Sequence, residues 1–270
     1  MPQKTRKKSQ GLKPITITDL PVHIFNDIVK PLGDNCRFDL RKVCNSFRNT
    51  VDTWDPKYEA VHVGTTDRNV LCIGFGYYRV KYGTRPGNRC RVTEWNTNKL
   101  NAYEVDGDYM DVAIDDLYSI LKNPKLKLTH FSTGKYGSRA DVFETFMNKL
   151  ALKLRTMDIK INCERIRLEF QNPKQEIQIL KSFQPGTLKK IEIGRYEKSG
   201  TQVDAEKMME ELMEMEQIKK AESIKVDPNL LGIDDLFSIP RLLKCPKIKL
   251  YYRRMSGKKA AQAVKVRNFV

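Results

Sequence analysis

Among 270 residues there are only six cysteines, three histidines and two tryptophans, and their spacing excludes several chemistries. Cys36, Cys44, Cys72, Cys90, Cys163 and Cys245 form no C-x-x-C pair, so no zinc ribbon or dithiol redox motif is written here. His23, His62 and His130 lie in separate segments without metal-ligand spacing, and each reads as a surface or satisfied core residue. Glycine is scarce where phosphate binding needs it. Gly74-Phe75-Gly76 starts like a dinucleotide fingerprint, but no third glycine opens a helix, which leaves a strand bulge. Asp106-Gly107-Asp108 with Asp111, Asp115 and Asp116 lacks the calcium-loop pattern and reads as a turn plus the acidic start of a helix. There is no P-loop and no activated-nucleophile motif, and Cys44 reads as a packed thiol. The expectation is a non-catalytic chain with no cofactor and no metal site.

Long apolar runs are also missing. None approaches the ~20 residues that cross a bilayer, and a mean hydropathy of -0.54 predicts a soluble protein without a membrane partner. The basic start, Met1 to Lys8, has no apolar stretch of a secretory signal, so the cysteines are expected to be reduced thiols in the cytosol or nucleus. Acidic residues are absent from both ends. Residues 1–13 carry five basic groups, residues 241–270 carry ten, and neither stretch has an acidic one. Of the 49 basic residues, 34 remain between 14 and 240 against 33 acidic ones, so the net charge of +16 sits almost wholly in the ends. Such tails are commonly solvated, although weak contact with RNA, an acidic partner or an import receptor stays open.

One stretch is too apolar for its length. Asp19 can cap a first helix and Pro21 suits its opening turn; Ile24, Ile28 and Leu32 then recur at helical spacing with Val29 beside them. Pro31 and Gly33 stop that helix, and Asp34 or Asn35 can start the next. Leu40, Val43, Phe47 and Val51 follow at spacings of 3, 4 and 4. Three short helices in ~40 residues cannot cover such faces alone, which predicts a partner-binding module. An ordinary helical hairpin in a larger core is the alternative.

Residues 18–52 resemble the F-box, by which substrate receptors dock onto the Skp-type adaptor of a cullin-RING ubiquitin ligase. Leu20-Pro21, Ile24, Ile28-Val29 and Leu32 fall on its opening pattern, and Leu40-Arg41-Lys42-Val43-Cys44 on its second half. His23 stands where an acidic residue is common, and Phe47 replaces a frequent Trp while still offering a large apolar anchor. The resemblance implies adaptor binding through Leu20, Pro21, Ile24, Ile28, Val29, Leu40, Val43, Cys44 and Phe47.

Beyond the module the period changes to two. Val61 and Val63, Val70 to Phe75, Tyr77 to Tyr82 and Cys90 to Trp95 read as antiparallel strands between about 58 and 106. Asp67-Arg68-Asn69, Gly83-Thr84-Arg85-Pro86-Gly87 and Asn96-Thr97-Asn98 read as the turns. From about 112, a helical stretch followed by a short strand recurs. Ile114, Leu117, Ile120 and Leu121 precede Lys125 to Leu128; Phe143, Phe146, Met147 and Leu150 precede Arg165 to Phe170. Ile177, Leu180 and Phe183 precede Leu188 to Ile193; Met208 to Met213 precede Glu222 to Val226; Leu236 to Leu243 precede Lys247 to Leu250. This pattern predicts parallel strands with helices on one face, a degenerate leucine-rich-repeat-like array without the usual Asn ladder. A non-repeating α/β sheet is the alternative.

The segment Ile179-Leu180-Lys181-Ser182-Phe183-Gln184-Pro185-Gly186-Thr187-Leu188-Lys189-Lys190-Ile191-Glu192-Ile193 resembles the signature of the FTH domain, found beside F-boxes in a family expanded in nematodes. Met213 to Glu222 resembles that family's next conserved stretch, with Ile218 where a Trp is common. The resulting expectation is an α+β chain. Residues 1–17 form a basic disordered start, 18–52 a small helical F-box, 55–110 a β-rich connecting region, 111–252 the FTH-like repeat region and 253–270 a basic tail. Its implied role is the non-catalytic substrate receptor of a Skp–cullin–F-box ligase, holding an unknown target protein, with no nucleic-acid partner. A basic nucleic-acid-associated protein is the alternative, supported by Phe75, Tyr77, Tyr78 and Tyr82 beside Arg79 and Lys81.

Overall fold

Part of the N-terminal apolar stripe packs into a small core of its own. A computed structural model describes residues 17–29, 31, 36, 40, 41, 43–54, 56, 58–66, 70–96, 99–135, 140–170, 173–195, 211–226 and 248–250. The chain divides into two units, Met1–Trp54 and Asp55–Val270.

In the first unit a 3-10 turn, Ile17–Asp19, leads into α1 (Val22–Val29), and α2 (Asn45–Val51) follows. Phe25, Val29 and Phe47 form a buried cluster, with Leu40, Cys44 and Trp54 packed against it. The Phe25 and Phe47 rings lie 4.5 Å apart between centroids, and Trp54 Nε1 donates to Asn26 Oδ1 at 3.1 Å. Helix α1 opens from Pro21, whose carbonyl accepts the Phe25 N–H at 3.0 Å, and Asp19 ends the preceding 3-10 turn. One sequence expectation changes here. The run Leu40, Val43, Phe47, Val51 is not one helical stripe. Cys44 is extended (φ -162°, ψ 169°) and caps α2, so Phe47 and Val51 turn inward while Val43 faces solvent. The stop and start signals at residues 32–35 lie outside the described residues.

The second unit is a mixed α/β fold on one ten-stranded sheet, ordered β10-β9-β8-β7-β6-β1-β2-β3-β4-β5. Strands β1 (Ala60–Thr66), β2 (Val70–Phe75), β3 (Tyr78–Arg85), β4 (Arg89–Asn96) and β5 (Lys99–Asp106) make an antiparallel meander. Strands β6 (Lys127–Lys135), β7 (Asn162–Phe170), β8 (Lys190–Arg195), β9 (Ser223–Val226) and β10 (Ile248–Leu250) run parallel. The regions read separately as β-rich and repeat-like share this sheet because β1 pairs antiparallel with β2 and parallel with β6.

Helices α3 (Tyr109–Leu121), α4 (Ala140–Thr156) and α5 (Pro173–Lys181), with the short α6 (Glu216–Lys220), connect the strands from β5 to β9. Helix α3 crosses over β2, β3 and β4, and α4 lies between α3 and α5. Tyr82 donates from the sheet to Asp116 of α3 at 2.9 Å, fixing which face the helices cover. That face carries a continuous row in register, Tyr78, Phe75, Val61, Phe131, Ile166, Ile191 and Ile224, all buried. Alternation puts polar residues on the opposite face, as a sheet covered on one side requires.

Asp108 caps α3, accepting from the Met110 and Asp111 N–H groups at 3.0 and 3.3 Å, so the acidic run is a helix start, as its sequence suggested. Asp111 and Asp115 pair with Lys149 and Lys153 of α4. The expected bulge at Gly74–Gly76 is instead a two-residue hairpin turn: Phe75 pairs with Tyr78, and Gly76 takes φ +60°. Gly83 to Arg85 continue β3, and the turn falls at Pro86–Asn88. Met208, Met209, Leu236 to Leu243 and both basic tails lie outside the described residues.

Candidate functional site

Helix α1 is apolar on two faces. Phe25 and Val29, four apart, fill the module's own core. Ile24 and Ile28, also four apart, remain 40% and 49% exposed, and Val43 is 62% exposed. Pro21 is exposed as well, whereas Leu20, Leu40 and Cys44 are half-buried. Of the nine residues implied by the F-box resemblance, Val29 and Phe47 are therefore committed to the core, and Pro21, Ile24, Ile28 and Val43 are accessible to a partner. Covering each aliphatic side chain's remaining surface would contribute about 1 kcal/mol. Arg41 pairs through Nε with Asp52 Oδ1, both side chains nearly buried, and Arg48 Nε donates to the Arg41 carbonyl at 3.2 Å. This brace around the Cys44 break was not visible in the sequence.

The two FTH-like stretches meet in space. Phe183 is fully buried, its ring 5.2 Å from that of Phe131, and pairs with Ile161 as an isolated bridge. Pro185 and Gly186 make a turn closed by Thr187 N–H to the Gln184 carbonyl at 3.3 Å. Gly186 has φ +88° there, a conformation that favours glycine. Leu188 then enters the core, 1% exposed. From the second stretch, buried Gln217 donates through Nε2 to the Phe183 carbonyl at 2.9 Å and to the Lys181 carbonyl at 3.4 Å.

The sheet's outer face brings together residues far apart in sequence. One row in register runs Leu100, Trp95, Arg79, Gly74, His62, Ser132, Arg167, Glu192 and Lys225. His62 Nδ1 lies 2.7 Å from Ser132 Oγ. Burial lowers the His62 pKa to about 4, and the positive charges of Arg79, His130 and Arg167 push the same way. His130 is lowered by burial and by Arg165. His62 and His130 are thus neighbours in space, although no group of three or more metal-capable side chains is found among the described residues. The stacking platform imagined for nucleic acid does not form: Phe75, Tyr78 and Tyr82 face the helices, leaving Tyr77 exposed at the hairpin turn.

No helix among the described residues is long and apolar enough to cross a membrane. The FTH domain family model matches residues 144–269. The chain is also similar to F-box A protein 224 of Caenorhabditis elegans, 24% identical over 191 residues, which cover 69% of this chain and 49% of that relative. It therefore spans about half the length of the curated relative it matches. No solved structure matches. These findings bear out the sequence's resemblance to the F-box/FTH family.

Proposed function

We propose that this chain is the substrate receptor of a Skp–cullin–F-box ubiquitin ligase. Its N-terminal unit docks the Skp-type adaptor through Pro21, Ile24, Ile28 and Val43, with Leu20, Leu40 and Cys44 at the margin. Val29 and Phe47 act indirectly, by holding α1 in place. The carrying observation is that Ile24, Ile28 and Val43 stay exposed on a unit whose buried cluster does not use them. Solvent-exposed aliphatic side chains grouped on a small helical unit mark a contact surface. The second unit is a degenerate leucine-rich-repeat-like array: Ile166, Ile191, Ile224 and Ile248 stand in register on successive parallel strands. That array holds a target protein. Such a receptor breaks no bond. It raises the local concentration of the target beside the ubiquitin-loaded enzyme and acts in the cytoplasm or nucleus. The test is co-purification of the full chain with a purified Skp-type adaptor, compared with Ile28→Lys. Binding by the wild type and its loss in the variant support the reading; equal recovery of adaptor with both contradicts it.

A further inference from the structure

We infer that the sheet's outer face receives an acidic polypeptide segment carrying an apolar or aromatic anchor. This rests on the receptor reading and names the surface and the chemistry of the target. Arg79 and Lys190 are exposed on that face and, among the described residues, have no ion pair. Arg165 stands beside Lys190 in register, two cations on neighbouring strands. The anchor site lies at the sheet's edge, where Trp95 and Leu100 are a register pair, 52% and 62% exposed. Lys81 Nζ stands 4.9 Å from the Trp95 ring centroid. From Trp95 to Arg167 is five strand spacings, roughly 24 Å, the reach of about seven extended residues.

Charge pattern distinguishes a polypeptide from a nucleic acid. Glu192 pairs with Arg165, and Glu169 with Arg167 at 2.8 Å, so carboxylates stand among the cations. A phosphate backbone, charged at every step, would meet both. A peptide can set its carboxylates only against Arg79 and Lys190 and offer neutral or donor groups elsewhere. Trp and Arg are also the side chains that most often dominate protein–protein binding energy.

The test is fluorescence anisotropy on the full chain at physiological salt, with Lys4, Arg6, Lys7 and Lys8 each changed to Ala to silence that tail. The probe is a labelled synthetic peptide of about ten residues, rich in Glu with one Phe, long enough to span the face. Its Gln-for-Glu counterpart and an oligouridylate serve as comparisons. The acidic peptide should bind at least about tenfold more tightly than the Gln peptide. Arg79→Glu with Lys190→Glu should abolish at least about ninety per cent of that affinity, and Trp95→Ala should weaken it about fivefold, each with an unchanged melting point. No binding up to about 1 mM, equal affinity for the Gln peptide, indifference to the face variants, or tighter binding of the oligouridylate overturns the inference. An adaptor titration on the same protein separates the two claims. Adaptor binding without peptide binding rejects this inference alone, and absent adaptor binding rejects the receptor reading.

Discussion

Gln217 on α6 donates a hydrogen bond to the Phe183 carbonyl at 2.9 Å, joining the second FTH stretch to the first. Both residues are buried, so the Phe183 carbonyl depends on this amide for a partner that water cannot replace, and the Lys181 carbonyl accepts a second, part-buried bond from it at 3.4 Å. Gln217→Leu keeps the volume but removes the donor. It should cost about 1–3 kcal/mol of stability in urea denaturation, whereas Lys219→Leu on the exposed side of the same helix should cost little.

Asp108 gives a smaller, cleaner test. Its carboxylate accepts from two N–H groups at the first turn of α3, so Asp108→Ala should cost about 1 kcal/mol and Asp108→Asn much less. Denaturation midpoints of the two variants against wild type decide this.

His62 makes stability depend on pH. Its folded pKa of about 4 lies below the unfolded 6.5, so as pH falls the unfolded chain takes up the proton first. The stability is fully present above about pH 6.5, is lost between 6.5 and 4, and the loss levels off below 4. By pH 5 the loss should be roughly 1–2 kcal/mol after allowance for solvent reaching the ring. His130, also lowered, adds in the same direction. Urea midpoints at pH 7 and pH 5 should therefore converge in His62→Asn relative to wild type.

Local patterns were readable where a residue's neighbours in sequence are also its neighbours in the fold. Alternation marked Val61, Val63 and Ile191 as inward, and helical spacing marked Phe143, Phe146, Met147 and Leu150, all buried. Leu188, read as the first residue of a strand, is buried just before β8 begins. Pairings between distant residues were not readable. Nothing near β1 indicates that it takes β2 on one side and β6 on the other, or that His62 will meet Ser132. At the candidate adaptor face the periodicity was right about which residues are apolar but could not show the extended Cys44, which sends Val43 and Phe47 to opposite environments.

Burial predicts that two residues from different motifs, Phe47 and Leu188, fail through stability and not through adaptor binding. Phe47→Ala removes half of the Phe25–Phe47 contact and should cost about 3–5 kcal/mol, melting the N-terminal unit. Leu188→Ala should cost roughly 2–5 kcal/mol in the second unit. Neither should alter adaptor affinity in protein that remains folded. Circular dichroism melts of each variant, followed by adaptor titration below the transition, check both.

Calorimetric titration of the purified Skp-type adaptor into the full chain, for wild type and for Ile28→Lys, bears most directly on the receptor role. Ile28 is half exposed, so the substitution should leave the melting point within about a degree while weakening adaptor binding at least about thirtyfold. Wild-type chain that takes up no adaptor, or Ile28→Lys chain that binds it as tightly as wild type, would contradict adaptor docking at this face.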